Sequence, residues 1–182
     1  MTTIAFYKPY DVVCQFSGEG QTLAQFDLPS NVYAAGRLDK DSEGLLILTD
    51  DGKLNQKITH PKNEKSKVYH VQVEGLPDNK SLMKLSRGVL IKDYVTKPCQ
   101  VKLIETNYPE RIPPIRYRAN IPTSWLEIIL TEGKNRQVRR MTAAIGHPTL
   151  RLIRYQIGQI ELNNLRPGEW RELAPESIFK DN

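Results

Sequence analysis

Residues 34–49 read AAGRLDKDSEGLLILT, and they carry the clearest information about the fold. Residues 32–36 form a strand-like run that stops at a glycine, and Gly44 opens an apolar run that predicts a second strand. The residues between them are mostly charged. The pattern predicts a polar loop held at both ends by buried β-structure, which is where catalytic groups usually lie. On spacing alone Asp39, Asp41 and Glu43 are all eligible carboxylates, and Asp39, next to the apolar Leu38, is our first candidate.

The composition is that of an ordinary globular protein. The chain has 182 residues, of which 39% are hydrophobic and 26% charged, enough for one sizeable core or for two lobes that share one. No apolar run approaches the roughly 20 residues that a membrane helix needs, and the start lacks the pattern of a signal peptide. The only cysteines, Cys14 and Cys99, indicate reduced thiols and no metal site. We therefore expect a cytoplasmic protein.

Positive charge is concentrated in one part of the chain. The net charge is +5, but residues 131–155 hold six cations against a single acid, Glu132. Those six cations are Lys134, Arg136, Arg139, Arg140, Arg151 and Arg154. Such a cluster indicates contact with phosphates. A helix is predicted over 136–145, and the backbone N–H groups at its Gly-Lys-Asn start form a possible phosphate site.

The predicted elements favour an α+β fold. Helices are expected over 53–60 and, after an N-cap at Asp78, up to Arg87. Residues 68–74 alternate, with Tyr69, Val71 and Val73 on one side of a strand. Residues 107–123 contain four prolines, so we expect an extended insertion. Strands outnumber helices and do not alternate regularly with them, which predicts a mixed, mainly antiparallel sheet.

Three positions could carry chemistry, and each also has a simpler interpretation. Asp39 could be a nucleophile or base held ionised by a cation, or an ordinary turn aspartate. Arg139, in the segment EGKNRQVRRM at 132–141, could be that cation or part of a solvated basic face. Tyr69 could stack on an extruded base or simply pack in the core. The three histidines have no metal-ligand spacing, so no metal is predicted.

Several motifs together resemble the RsuA/RluE-type pseudouridine synthases, in particular the RluE-like branch that modifies large-subunit ribosomal RNA. They are GRLD at 36–39 with SEGLLILT at 42–49, KVYHVQVEG at 67–75, and EGKNRQVRRM at 132–141. The segments YKPYDVV at 7–13 and RPGEWR at 166–171 also fit. The resemblance covers essentially the whole chain. It implies a two-lobed α+β fold with a cleft across the sheet, and residues 1–182 forming one catalytic domain without the small S4 RNA-binding domain of some relatives.

The resemblance also implies an activity and site residues. These enzymes detach a uracil base from C1′, rotate it and rejoin it through C5, with no cofactor or metal. Asp39 matches the essential aspartate, Tyr69 the base-stacking tyrosine with a role in proton transfer, Arg139 the paired cation, and Arg37 an RNA contact. Whether Asp39 attacks C1′ or removes a proton stays open. The further RNA-binding residues predicted from the basic segments are Lys67, Lys134, Arg136 and Arg140.

The expected partner is therefore ribosomal RNA, bound by a monomer. Two other functions stay open from the sequence. One is a non-catalytic RNA-binding or ribosome-assembly module that keeps only the fold. The other is the same isomerisation carried out on transfer RNA.

Overall fold

The computed structural model describes residues 1–116 and 118–179, and the chain divides into two compact units. The first unit contains Met1–Lys67 together with the chain from Ile153 onward, and the second contains Val68–Leu152. Residue 117, inside the predicted insertion, and residues 180–182 lie outside the described part. Within the described residues no helix is long and apolar enough to cross a membrane.

The first unit is built around one fully buried strand with other strands paired on both of its edges. Its sheet has the order β13-β1-β5-β11, with β4 also paired to β5 and β12 to β11. The strands are β1 (Thr3–Lys8), β2 (Val12–Val13), β3 (Gln21–Thr22), β4 (Tyr33–Ala35), β5 (Glu43–Thr49), β11 (Thr149–Ile157, which begins in the second unit), β12 (Ile160–Glu161) and β13 (Trp170–Glu172), and the helix is α1 (Gly52–Thr59). Every residue of β5 is buried. β1 pairs with one edge of β5 while β4 and β11 share the other, and Leu46 and Leu48 pack in the core cluster that contains Leu23.

The second unit packs two helices on one face of its strands. The strand order is β11-β6-β10-β9. The elements are β6 (Lys67–Glu74), α2 (Asn79–Arg87), β7 (Leu90–Ile91), β8 (Tyr94–Val95), β9 (Gln100–Ile104), β10 (Thr123–Leu130) and α3 (Gln137–Ala144). The core joins Val71 and Val73 of β6 to Leu126 of β10, Leu85 of α2 and Met141 of α3. Alternate residues of β6 and β10 therefore face this core, and the residues between them face away.

The predicted elements largely match this structure. The sheet is mixed and mainly antiparallel, since β11 runs parallel to β5 while β1, β4 and β13 pair antiparallel, so the α+β prediction is confirmed. The carboxylate of Asp78 caps α2 by accepting the N–H of Ser81 at 2.8 Å. The described residues between β9 and β10 form neither helix nor strand. The predicted start of α3 was one residue early, because Arg136 is left-handed with φ +51° and precedes the helix.

Candidate active site

Asp39 lies on the loop that joins β4 to β5 in the first unit. The loop leaves β4 through Gly36, whose φ of +88° suits glycine. Leu38 is buried, and Asp39 beside it is half-buried between the exposed Arg37 and Lys40. The N–H of Ser42 donates to the carbonyl of Asp39 at 3.0 Å, which turns the chain into β5. The backbone hydrogen bond orders the turn that carries the half-buried Asp39 carboxylate, and a reactive group needs such a fixed support.

A buried lysine holds the middle of this loop. Lys8, at the end of β1, is 0% exposed, and its ammonium donates to the carbonyls of Pro9 at 2.7 Å, Val12 at 2.9 Å and Lys40 at 3.4 Å. Burial lowers the pKa of Lys8 to about 8, although the nearby Cys14, Glu43 and other acids partly oppose the shift. Lys8 therefore connects β1 to the residue that follows Asp39.

Arg154 of β11 fixes both ends of the same loop. Its side chain is buried, with Nε donating to the carbonyl of Leu45 at 2.9 Å and Nη1 to that of Arg37 at 3.4 Å. Gly44 has φ +115°, and any Cβ there would collide with the backbone of Arg154. Glycine is thus required where β11 meets β5. From the sequence, Arg154 was expected among the cations that contact phosphates, and Lys8 was assigned no role, because both contacts join distant parts of the chain.

Lys67, a predicted RNA contact, is engaged within the first unit. Its ammonium lies 3.6 Å from a carboxylate oxygen of Glu64, and its side chain is only 20% exposed. Burial first, and the charge of Arg154 second, lower the pKa of Lys67, while Glu64 opposes them. Lys67 thus already has an anionic partner at the start of β6.

Tyr69 lies on the core face of β6 in the second unit. It is half-buried and packs against the cluster that contains Val71 and Val73, as the alternation of the sequence predicted. His70 faces the other way, with Nδ1 2.6 Å from the hydroxyl of Tyr108 and Nε2 3.1 Å from Glu127. Burial lowers the pKa of His70, against the opposing effect of Glu127.

The segment before α3 is anchored by a buried acid. Glu132 is 4% exposed and accepts hydrogen bonds from the Tyr94 hydroxyl at 2.7 Å and the Lys97 N–H at 2.9 Å. The ammonium of Lys134 lies 4.6 Å from the centre of the Tyr94 ring, a cation–π distance. Glu132 therefore has a structural role here.

The basic residues around α3 differ in exposure. Arg136 is exposed, whereas Arg139 and Arg140 in the first turn are half-buried. Arg140 donates to the side-chain oxygen of Asn135 at 3.3 Å. The N–H of Lys134 donates to the side-chain oxygen of the buried Gln137 at 3.0 Å, so one backbone donor of the predicted phosphate site is already used by the protein.

The predicted site residues thus fall in both units. The first unit carries Arg37, Asp39 and Lys67, and the second carries Tyr69 and the basic residues of the α3 region. Within each unit the groups are held by named contacts: the Asp39 loop by Lys8 and Arg154, and Tyr69 by the core.

Comparison with known proteins defines the class. The sequence profile of the family described as RNA pseudouridylate synthase matches residues 2–144, and the chain belongs to that family. The chain is 55% identical over 173 residues to ribosomal large subunit pseudouridine synthase E of Vibrio parahaemolyticus, covering 93% of this chain and 73% of the relative. It is 54% identical over 171 residues to the protein of the same name from Xanthomonas campestris, covering 90% and 91%.

A solved structure supports the same class. The crystal structure of a pseudouridylate synthase matches with a TM-score of 0.79 and 30% identity, over 97% of this chain and 72% of that one. The resemblance in the sequence motifs and the fold assignment are therefore confirmed. Family membership makes the chain an isomerase of the pseudouridine synthase type.

Proposed function

We propose that this chain converts a specific uridine of large-subunit ribosomal RNA to pseudouridine, with Asp39 as the catalytic carboxylate. The observation that carries the proposal is the family match over residues 2–144, which includes the Asp39 loop. The relatives that share more than half of its residues are named as synthases of the large ribosomal subunit, which supports the choice of substrate. We expect the protein to act as a monomer in the cytoplasm, where ribosomal RNA is made.

The reaction is an isomerisation, so its atoms balance within the substrate. The bond between C1′ and N1 of the uridine breaks, the base turns, and a bond forms between C1′ and C5. The hydrogen on C5 leaves and N1 gains a proton. Asp39 either attacks C1′ as a nucleophile or removes a proton, and both roles need an ionised carboxylate. Arg139 is the proposed cation for Asp39, and Tyr69 the proposed stacking partner of the flipped base.

Binding must supply the energy to extrude the uridine. Removing a base from an RNA stack costs a few kcal/mol, and phosphate contacts offset part of this cost. Arg37, Lys134 and Arg136 are exposed and are our proposed phosphate contacts, together with Arg140. Lys67 contributes only when its ion pair with Glu64 is exchanged for a phosphate. Because these contacts release counterions, affinity for RNA falls as salt rises.

The decisive experiment compares Asp39→Asn with Asp41→Asn. Large-subunit ribosomal RNA labelled with tritium at C5 of uridine is the substrate, since pseudouridine formation releases the label. We expect no release by Asp39→Asn, because the amide can neither attack C1′ nor accept a proton, and substantial release by Asp41→Asn. Binding of RNA to both variants, measured by filter retention, shows whether the fold is intact. Release by Asp39→Asn at a near-normal rate contradicts the proposed role.

The RNA target is tested separately. Pseudouridine mapping of all cellular RNAs, with and without the gene, should show one class of sites lost from large-subunit ribosomal RNA. Loss from transfer RNA would assign the same chemistry to another substrate. No loss from any RNA would favour a non-catalytic binding module.

A further inference from the structure

The second unit contains a cavity on the face of its strands that points away from Tyr69. It is open to solvent on one side and has a volume of about 320 Å³, and its walls include Gln72 of β6, Trp125 of β10 and Arg151 of β11. The segment between β9 and β10 closes it with Thr106, Tyr108 and Arg111. Because side chains alternate along a strand, Gln72 and Trp125 face away from the core that holds Tyr69. The cavity is therefore separate from the surface that Tyr69 occupies.

The cavity has an aromatic wall with a cation beside it. The rings of Tyr108 and Trp125 have centroids 5.5 Å apart and planes inclined by 34°. The guanidinium carbon of Arg151 lies 5.9 Å from the centroid of each ring. Arg151 is 4% exposed, so its charge acts where water screens it little. An aromatic face next to a guanidinium binds the planar base of a nucleotide by stacking.

The walls are held in place by hydrogen bonds. Arg151 donates to the carbonyl of Pro109 at 2.8 Å, and Arg111 donates to the carbonyls of Pro113 at 2.9 Å and Pro114 at 3.1 Å. The Arg111 bonds shape the proline-rich segment internally, whereas the Arg151–Pro109 bond and a bond from Arg111 Nη1 to the carbonyl of Leu150 at 3.4 Å tie the segment to β11, so the cavity exists before any ligand binds. Preorganised walls lower the entropic cost of binding.

The charge of the cavity favours an anion that also has polar edges. Arg111 and Arg151 contribute two positive charges, and Glu110 contributes one negative charge at its exposed rim. Gln72 and Thr106 add neutral hydrogen-bonding groups. The combination of a stacking wall, neutral polar groups and net positive charge matches a planar base linked to a phosphate.

We propose that this cavity binds one nucleotide unit, a base stacked on the Tyr108–Trp125 wall with its phosphate near Arg111. If the proposed activity on RNA is correct, that nucleotide belongs to the RNA substrate, at a position other than the uridine that is converted. The cavity then adds affinity and sequence selection outside the reacting base. A free mononucleotide offers the same chemistry, so the experiment must distinguish the two sources.

Trp125 provides a direct probe. The chain has two tryptophans, and Trp170→Phe leaves Trp125 as the only one, so that stacking of a base quenches the remaining fluorescence. With Asp39→Asn added, the protein binds RNA without converting it. We expect a single-stranded oligouridylate to quench Trp125 saturably. Comparable quenching by UMP would identify a mononucleotide site, and quenching by the oligonucleotide alone would identify an RNA subsite.

The test variant is Gln72→Glu, which changes charge with little change in shape. The amide of Gln72 donates to the hydroxyl of Thr123 at 3.1 Å, and a carboxylate can accept from the same hydroxyl. A negative charge added to the cavity wall should repel the phosphate and weaken quenching roughly tenfold. The matched control is Gln100→Glu on the exposed end of β9, with the same charge change and no expected effect.

A second variant, Arg111→Gln, removes the proposed phosphate contact. It should also weaken quenching about tenfold, and it should raise KM for ribosomal RNA by a larger factor than it lowers kcat, because the cavity does not touch the reacting base. Circular dichroism checks that both variants fold. Absence of quenching in the parent protein, or equal quenching in Gln72→Glu and Gln100→Glu, overturns the proposal. Pseudouridine formation by the unmodified enzyme is measured independently. A cavity that binds no nucleotide therefore shows as absent quenching with normal pseudouridine formation, and an incorrect proposed activity shows as absent pseudouridine formation.

Discussion

The buried ammonium of Lys8 makes a specific prediction about stability and pH. Burial lowers the pKa of Lys8 to about 8 in the folded chain, whereas the unfolded chain keeps the ordinary pKa of 10.5. Between these two values the unfolded state binds more protons than the folded state, so the contribution of Lys8 to stability rises with pH. Each pH unit in the window is worth about 1.36 kcal/mol, so the gain between pH 7 and pH 10 is roughly 2–3 kcal/mol.

The assay measures the free energy of unfolding in urea at both pH values. Lys8→Met keeps a side chain of similar length and removes the titration. We expect the stability of the unmodified protein to rise relative to Lys8→Met by roughly 2–3 kcal/mol between pH 7 and pH 10. Other titrating groups affect both proteins and cancel in this difference. The exposed Lys53 offers the control, since the stability difference between the unmodified protein and Lys53→Met should not change between pH 7 and pH 10. Parallel pH profiles for the unmodified protein and Lys8→Met would refute the reasoning.

Three other predictions concern the loop and the stacking residue. Arg154→Lys should cost about 1–3 kcal/mol of unfolding free energy and lower kcat, because an ammonium cannot replace both guanidinium bonds; the exposed Arg166→Lys is its control, and equal stability of the two would contradict it. Gly44→Ala should lower the free energy of unfolding in urea by more than about 2 kcal/mol, because Gly44 has a positive φ and an added Cβ would collide with the backbone of Arg154. Gly52→Ala is its control and should be neutral or stabilising, because the space around Gly52 is open. Tyr69→Phe should keep RNA affinity in gel-shift assays, whereas Tyr69→Leu should lose about 1–3 kcal/mol if the ring stacks on the base; equal affinities would exclude stacking.

Local features of the fold were predictable from the sequence. The alternation around Tyr69, the cap at Asp78 and the proline-rich insertion each depend on neighbouring residues, and the structure confirms all three. The predicted start of α3 was one residue too early, since no residue type around Arg136 indicates a left-handed backbone there.

Contacts between distant residues were not predictable in the same way. Arg154 reaches the carbonyl of Leu45 across 109 residues of sequence, and Lys8 reaches that of Lys40 across 32. Both side chains are cations, which normally stay exposed, so burial was the less expected outcome. Their acceptors are backbone carbonyls, which every residue has, and no residue type identifies them. The loop that carries Asp39 was predicted from the strand signals on both sides of it, whereas the choice of Asp39 within that loop depended on the family resemblance and stays a prediction.

The way the proline-rich segment is fastened has a consequence for how recognition can change. Arg151 holds it to β11 through the carbonyl of Pro109, and Arg111 of the segment donates to the carbonyl of Leu150 in β11 and to those of Pro113 and Pro114. Main-chain oxygens persist whatever side chain is attached. Exposed positions such as Ile112 and Arg116 point outward from this fixed frame. Substitutions there can alter the surface offered to a partner while leaving the frame intact. The segment is thus a place where new specificity can be selected at little cost to folding.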